Sequence, residues 1–161
     1  ADSYQENQIT LVYDTMWNGT RVMAENIAAG LCEADPAVSV KLFNLAKADR
    51  NDVITEIFKS KAILVGSPTI NRGVLTSIAG LLEEMKGLKF RGKKAAAFGC
   101  YGWSGESVKN IREQLTAGGF LVVDEGIRCL WNPDKESLDA CRDYGKALAG
   151  RLDGRTDRSE P

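Results

Sequence analysis

The chain contains no histidine. That absence excludes a Ser-His-Asp triad, a His-ligated haem and any His-containing metal site within it. The four cysteines, Cys32, Cys100, Cys129 and Cys141, include no Cys-x-x-Cys pair, which excludes a zinc ribbon or a four-cysteine iron site. No apolar run reaches the length of a membrane span, and no basic-then-apolar signal segment opens the chain, so no membrane is expected. An excess of charge is missing too. A net charge of −1 with no basic stripe argues against nucleic acid, whose phosphates would need one. Scattered cysteines fit a reducing cytoplasm, most of them serving as small buried hydrophobes.

What is present suits one globular domain: 161 residues, 43% hydrophobic and 27% charged. Residues 1–8 are polar and read as a leader or inter-domain linker. Residues 153–161 are charged and free of apolar side chains, and read as a disordered tail or linker. Between them, over 9–152, the pattern alternates. Strands are expected at 9–13, 38–44, 62–66, 94–100 and from 120 toward 130. Helices are expected at about 19–34, 50–60, 73–86, 105–117 and 135–152. The apolar stripes run through Met23, Ile27 and Leu31, then Val53, Ile57 and Phe58, then Leu75, Ile78, Leu82 and Met85. Val108, Ile111 and Leu115 follow, and finally Leu138, Cys141, Leu148 and Leu152. Ala62–Val65 is continuously apolar, as in a central parallel strand covered on both faces.

Five strands alternating with five helices predict an α/β fold, a doubly wound five-stranded parallel sheet in the order 2-1-3-4-5 with helices on both faces. Its switch point lies between strands one and three, which places a ligand beyond their C-terminal ends. Three loops meet there. The first, Thr15-Met16-Trp17-Asn18-Gly19-Thr20, carries a strand directly into a helix. Its backbone N–H groups, the helix dipole and the hydroxyls of Thr15 and Thr20 suit a phosphate. Asn18 or Thr20 would equally serve as an ordinary N-cap. The second, with Pro68, Thr69, Asn71 and Gly73, suits backbone bonds to the edge of a planar heterocycle, and its Ser, Thr and Asn also suit helix capping. The third, Cys100-Tyr101-Gly102-Trp103-Ser104-Gly105, interleaves aromatics with glycines, so the backbone approaches a ligand while Trp103 or Tyr101 stacks on it.

One phosphate site plus aromatics describes a mononucleotide with a flat head, and FMN fits better than a nicotinamide cofactor. The Gly-x-Gly-x-x-Gly fingerprint and a following ribose-binding acid are both missing. Two other patterns lead elsewhere. Gly87-Leu-Lys-Phe-Arg-Gly92-Lys93-Lys94 resembles a P-loop but lacks its Ser/Thr and precedes a strand, and its lysines read as solvated. Asp14 ends the first strand as a phosphoacceptor would, without the acidic pair or the strand-five lysine of a receiver.

The stretch Leu11-Val12-Tyr13-Asp14-Thr15-Met16-Trp17-Asn18-Gly19-Thr20 is similar to the FMN phosphate loop of flavodoxins. It departs from them at Asn18, usually a small residue, and at Trp17, often a hydroxyl. Together with Ser-Pro-Thr-x-Asn and Phe-Gly-Cys-Tyr-Gly-Trp-Ser-Gly, the whole of 9–152 resembles the flavodoxin-like domain of flavodiiron proteins, the oxygen or nitric oxide reductase family. The resemblance implies an FMN-binding electron-transfer module and not a complete oxidoreductase. It would be fed by a rubredoxin-type electron donor and deliver to a diiron (metallo-β-lactamase-like) domain that this chain does not contain. It implies a phosphate loop at Thr15–Thr20, a ring-edge loop at Pro68, Thr69, Asn71 and Gly73, and a stacking loop at Cys100–Gly105. No catalytic residue and no metal ligand is expected here. A free-standing FMN-dependent NAD(P)H:quinone reductase is the alternative, and a flavin-free interaction domain a third reading. Arg72, in a ring-edge loop without acids, predicts a reduced flavin less disfavoured than in an acidic flavodoxin.

Overall fold

A computed structural model describes residues 5–16, 18–70, 73–90, 92–102, 105–130 and 132–152. Alternation of apolar runs and amphipathic stripes becomes β1 (Glu6–Tyr13), α1 (Gly19–Ala34), β2 (Ser39–Asn44), α2 (Arg50–Lys59), β3 (Ser60–Gly66) and α3 (Thr76–Leu88). β4 (Lys94–Tyr101), α4 (Glu106–Ala117), β5 (Leu121–Val122), β6 (Ile127–Leu130) and α5 (Lys135–Arg151) follow. The strands are parallel in the order β2-β1-β3-β4-β5, and β6 also pairs with β4. Among the described residues, no helix is long and apolar enough to cross a membrane.

The sheet separates two apolar layers. On one face Val12, Ile63, Val65 and Ala97 meet α2, α3 and α4 through Val53, Ile57, Ile78, Met85 and Ile111. On the other, Leu11, Leu64 and Phe98 meet α1 and α5 through Met23, Ile27, Leu31, Cys141 and Leu148. α1 and α5 cross backbone to backbone. A Cβ on Gly145 would lie 2.3 Å from the Ile27 carbonyl oxygen, and one on Gly30 would strike the Arg142 carbonyl, so only glycine permits this approach. Glu33 reinforces the crossing by pairing with Arg142 and, at 3.2 Å, with Lys146.

Five expectations need correction. β1 begins at Glu6 rather than Ile9, because Gln8 is buried with its amide satisfied: Nε2 donates to Ser60 Oγ at 3.0 Å and to Glu56 Oε2 at 2.8 Å. α3 begins at Thr76, since Ile70 and Gly73 instead close a short antiparallel bridge. The fifth strand is split, because Asp124 Oδ1 accepts from the Gly126 N–H at 2.8 Å and Gly126 takes φ +81°, turning the chain between β5 and β6. Lys93 is buried and not solvated: its Nζ donates to the carbonyls of Ile57 (3.0 Å), Phe58 (3.1 Å) and Ser60 (2.5 Å), capping the C-terminus of α2. Phe58, expected on the α2 stripe, is exposed at its end and touches only the edge of the core, 4.7 Å from the Phe90 ring centroid.

Candidate functional site

The C-terminal ends of β1, β3 and β4 bring the three predicted loops together. Met16, Pro68, Thr69, Cys100, Tyr101 and Gly102 line one cleft of about 230 Å³, joined by Ile70, which the sequence reading did not single out. That volume falls below the roughly 300–1,000 Å³ of a whole small-molecule site, so the cleft by itself would take only part of a small-molecule ligand. Trp17, Asn71, Trp103 and Ser104 lie outside the described residues, as does Arg72.

At the phosphate end, Asn18 takes the left-handed conformation (φ 65°), which Asn tolerates better than most side chains, and leads into Gly19 and the buried Thr20. No side chain among the described residues caps α1, and its first turn carries no acid. The N-cap residues of α3 and α4 make no side-chain cap either, and α3 also lacks an acid in its first turn, but every other helix has a side-chain oxygen accepting an N–H at its head. Asp49 and Asp134 cap α2 and α5. Ser67 Oγ accepts from the Leu75 N–H at the head of α3 (3.0 Å), and Thr69 Oγ1 accepts from the Ser107 N–H in the first turn of α4 (3.1 Å). Among the described residues, the fully buried Thr20 hydroxyl has no hydrogen-bond partner of good geometry. An orphaned hydroxyl beside uncapped N–H donors is what an anion would complete. Thr15 is less free: its N–H goes to Asp14 Oδ1 at 2.7 Å, and its hydroxyl makes a long 3.4 Å bond to the Met16 carbonyl.

Cys100 connects the two ends. Cys100 lines the cleft, and burial pushes its thiol up to about 11, with the neighbouring Thr20 hydroxyl acting in the opposite sense. On its other side, Cys100 Sγ lies 3.3 Å from Met23 Sδ in α1. Phosphate end and cleft therefore adjoin.

The ring-edge loop is braced rather than free. Thr69 donates its N–H to the Cys100 carbonyl at 2.9 Å while its hydroxyl supports α4, and Ser67 donates its own hydroxyl to the Pro68 carbonyl at 2.9 Å. Gly73 lies outside the cleft lining and closes the loop through two backbone bonds to Ile70, at 2.8 and 3.1 Å. In the third loop the Arg128 guanidinium stands over the Tyr101 ring, 5.7 Å from its centroid, covering one aromatic face. Gly105 is the N-cap of α4 and lies under Arg128, where a Cβ would come within 2.8 Å of a guanidinium nitrogen. Ser67, Ile70 and Arg128 were missed as site residues. Position after a strand could have signalled Ser67, but nothing local signals Arg128.

Residues 11–145 match the flavodoxin family model. The chain is 50% identical over 149 residues to the anaerobic nitric oxide reductase flavorubredoxin of Aliivibrio fischeri, covering 92% of this chain and 30% of that protein. It thus spans about a third of the length of the curated relatives it matches. Its fold superposes on rubredoxin oxygen:oxidoreductase from Desulfovibrio gigas with a TM-score of 0.88 at 30% identity, over 99% of this chain and 39% of that one. A flavodoxin from the domain Archaea gives 0.80 at 29% identity, over 90% of this chain and 98% of its own.

Proposed function

The chain belongs to the flavodoxin family, and we propose that it binds FMN and serves as an electron-transfer module of a flavodiiron oxygen or nitric oxide reductase. The family is one of FMN binders. The observation that carries the reading is the first turn of α1: uncapped, free of acids, and facing the orphaned Thr20 hydroxyl. Backbone N–H groups at Asn18–Thr20 and the hydroxyls of Thr20 and Thr15 hold the phosphate. Met16, Pro68–Ile70 and Tyr101–Gly102 would hold the flavin ring, in a cleft whose loop backbone the Ser67 and Thr69 hydrogen bonds keep rigid. When bound, the flavin supplies one-electron chemistry that amino-acid side chains cannot.

Multidomain relatives support the rest of the assignment. Electrons arrive from a rubredoxin-type donor and leave to a non-haem diiron centre on a metallo-β-lactamase-like domain outside these residues. The module works in the cytoplasm, its folded core opening with β1 at Glu6 and closing with α5. No charged field is needed for delivery to a covalently linked partner, consistent with a net charge of −1.

The test has two stages. Cofactor released from the purified protein is identified by mass spectrometry, with FMN expected. Reduced rubredoxin is then mixed with the flavin-loaded chain, and the flavin absorbance should bleach within the mixing experiment. Predominant FAD would overturn the cofactor assignment. Reduction by NAD(P)H with quinone turnover, and none by rubredoxin, would overturn the electron-transfer assignment.

A further inference from the structure

Two of the buried cysteines have no part in the site just described. Cys129 on β6 and Cys141 on α5 face one another with their sulfurs 3.8 Å apart. A disulfide needs about 2.05 Å, so the two sulfurs face one another unbonded and near bonding distance. Both thiols are free. They are not equivalent. The bond between the two sulfurs, in which either can donate, holds the Cys129 thiol below its ordinary range against the effect of burial; the same bond, aided by burial, keeps Cys141 protonated well above its range. Cys129 retains 7% exposure while Cys141 has none. One sulfur is thus set up as the nucleophile, and the other waits behind it.

We propose that Cys129 and Cys141 form an oxidation site, in which a small peroxide converts the facing pair of thiols to a reversible disulfide. The Cys129 thiolate attacks one peroxide oxygen, the O–O bond breaks, and hydroxide leaves to take up a proton, giving a sulfenic acid. The Cys141 sulfur then attacks the Cys129 sulfur, the S–O bond breaks, and the sulfenic oxygen leaves as water with the Cys141 proton. Two thiols and one peroxide become one disulfide and two waters. A dithiol reductant reverses the bond by exchange.

The placement gives the bond a structural consequence. β6 is four residues long and pairs with the sheet through β4, where Cys129 stands opposite Cys100. A link to Cys141 ties that short edge strand to α5, directly behind the residue that lines the cleft. This inference does not depend on the cofactor assignment.

Cleavage after Arg128, Lys135 and Arg142 separates the two cysteines into peptides 129–135 and 136–142, which makes the bond readable. The whole chain is treated with hydrogen peroxide, unfolded, alkylated and digested. Expected is a linked pair of these two peptides that dithiothreitol separates, with Cys32 and Cys100 still alkylated. In Cys141→Ser the Cys129 sulfenic acid should persist long enough for capture by dimedone. Full alkylation of both cysteines at a peroxide dose that oxidises the exposed Met16 overturns the proposal. So does Cys129 sulfinic acid beside an alkylated Cys141, or a link made through Cys32 or Cys100 instead.

Discussion

Ser77 donates its hydroxyl proton to Asp14 Oδ2 at 2.5 Å, joining the end of β1 to the first turn of α3 across 63 positions of sequence. The other Asp14 oxygen holds the Thr15 N–H. One carboxylate therefore sets the start of the phosphate loop against the helix that follows the ring-edge loop. Ser77→Ala should cost about 1 kcal/mol of stability, the lower range for a partly exposed bond to a charged group. It should also weaken FMN binding severalfold. Urea unfolding of the apoprotein and a flavin titration check both, and a stability loss with unchanged affinity would mean that the phosphate loop holds its shape unaided.

Thr20→Val separates ligand binding from folding. FMN affinity should fall by about 1–2 kcal/mol, the worth of one hydrogen bond to a charged group. Apoprotein stability should change little, because the buried hydroxyl removed has the Cys100 thiol beside it and, among the described residues, no hydrogen bond of good geometry. A parallel loss of both would make Thr20 a packing residue.

Lys93→Met takes the ammonium donor from three carbonyls at the end of α2, of which that of Ile57 keeps the Ser60 N–H. A loss of about 2–3 kcal/mol is expected by denaturant unfolding, since buried acceptors are left unsatisfied. Lys109→Met removes an exposed lysine at the far end of the sheet and should stay within about 0.5 kcal/mol. Equal effects would refute the capping role.

Gly145→Ala pushes a Cβ into the Ile27 carbonyl. Overpacking of this kind costs about 1–3 kcal/mol. Gly150 lies in the same helix with open space around it. There the same change should stabilise by about 0.5 kcal/mol through helix propensity. Opposite signs in thermal unfolding are the expected signature.

Alkaline pH probes Tyr144. Burial, and then the bond from its hydroxyl to Asp124 Oδ1 at 2.7 Å, push its phenol well above the usual range. A raised acid keeps its proton longer when folded, so its contribution is intact below the unfolded value of about 10 and is lost as pH climbs beyond it. Unfolding free energy measured from pH 8 to 11 should fall at the upper end, and less steeply in Tyr144→Phe. An identical slope in the variant would assign the fall to other groups.

The alternation of strands and helices was legible because each layer repeats its own period: continuous apolar runs in β3 and β4, stripes at helical spacing in α1, α3 and α4. Polar burial was not. Gln8, Thr10 and Ser60 form a hydrogen-bonded cluster that hydropathy reads as surface, and Lys93 differs from a solvated lysine only through carbonyls some 35 positions away. In the site, Asn18, Gly19 and Thr20 could be read from strand-to-helix grammar alone. That the Thr69 hydroxyl serves α4, and that Arg128 covers Tyr101, follows from long-range packing that leaves no local pattern. The break in strand five did leave one, in Asp124-Glu125-Gly126.

The glycine crossing of α1 and α5 has a kinetic corollary. α1 follows the first strand of the fold and α5 is its last element, yet they share a backbone contact that neither could make with a substitute. During synthesis the turn that opens α1 therefore waits, with its helix docked on one side only, until α5 is released. Closing so long a loop is the slow kind of contact in folding. FMN added before that moment would meet a loop without its backing, so flavin uptake should trail the docking of α5 rather than lead it.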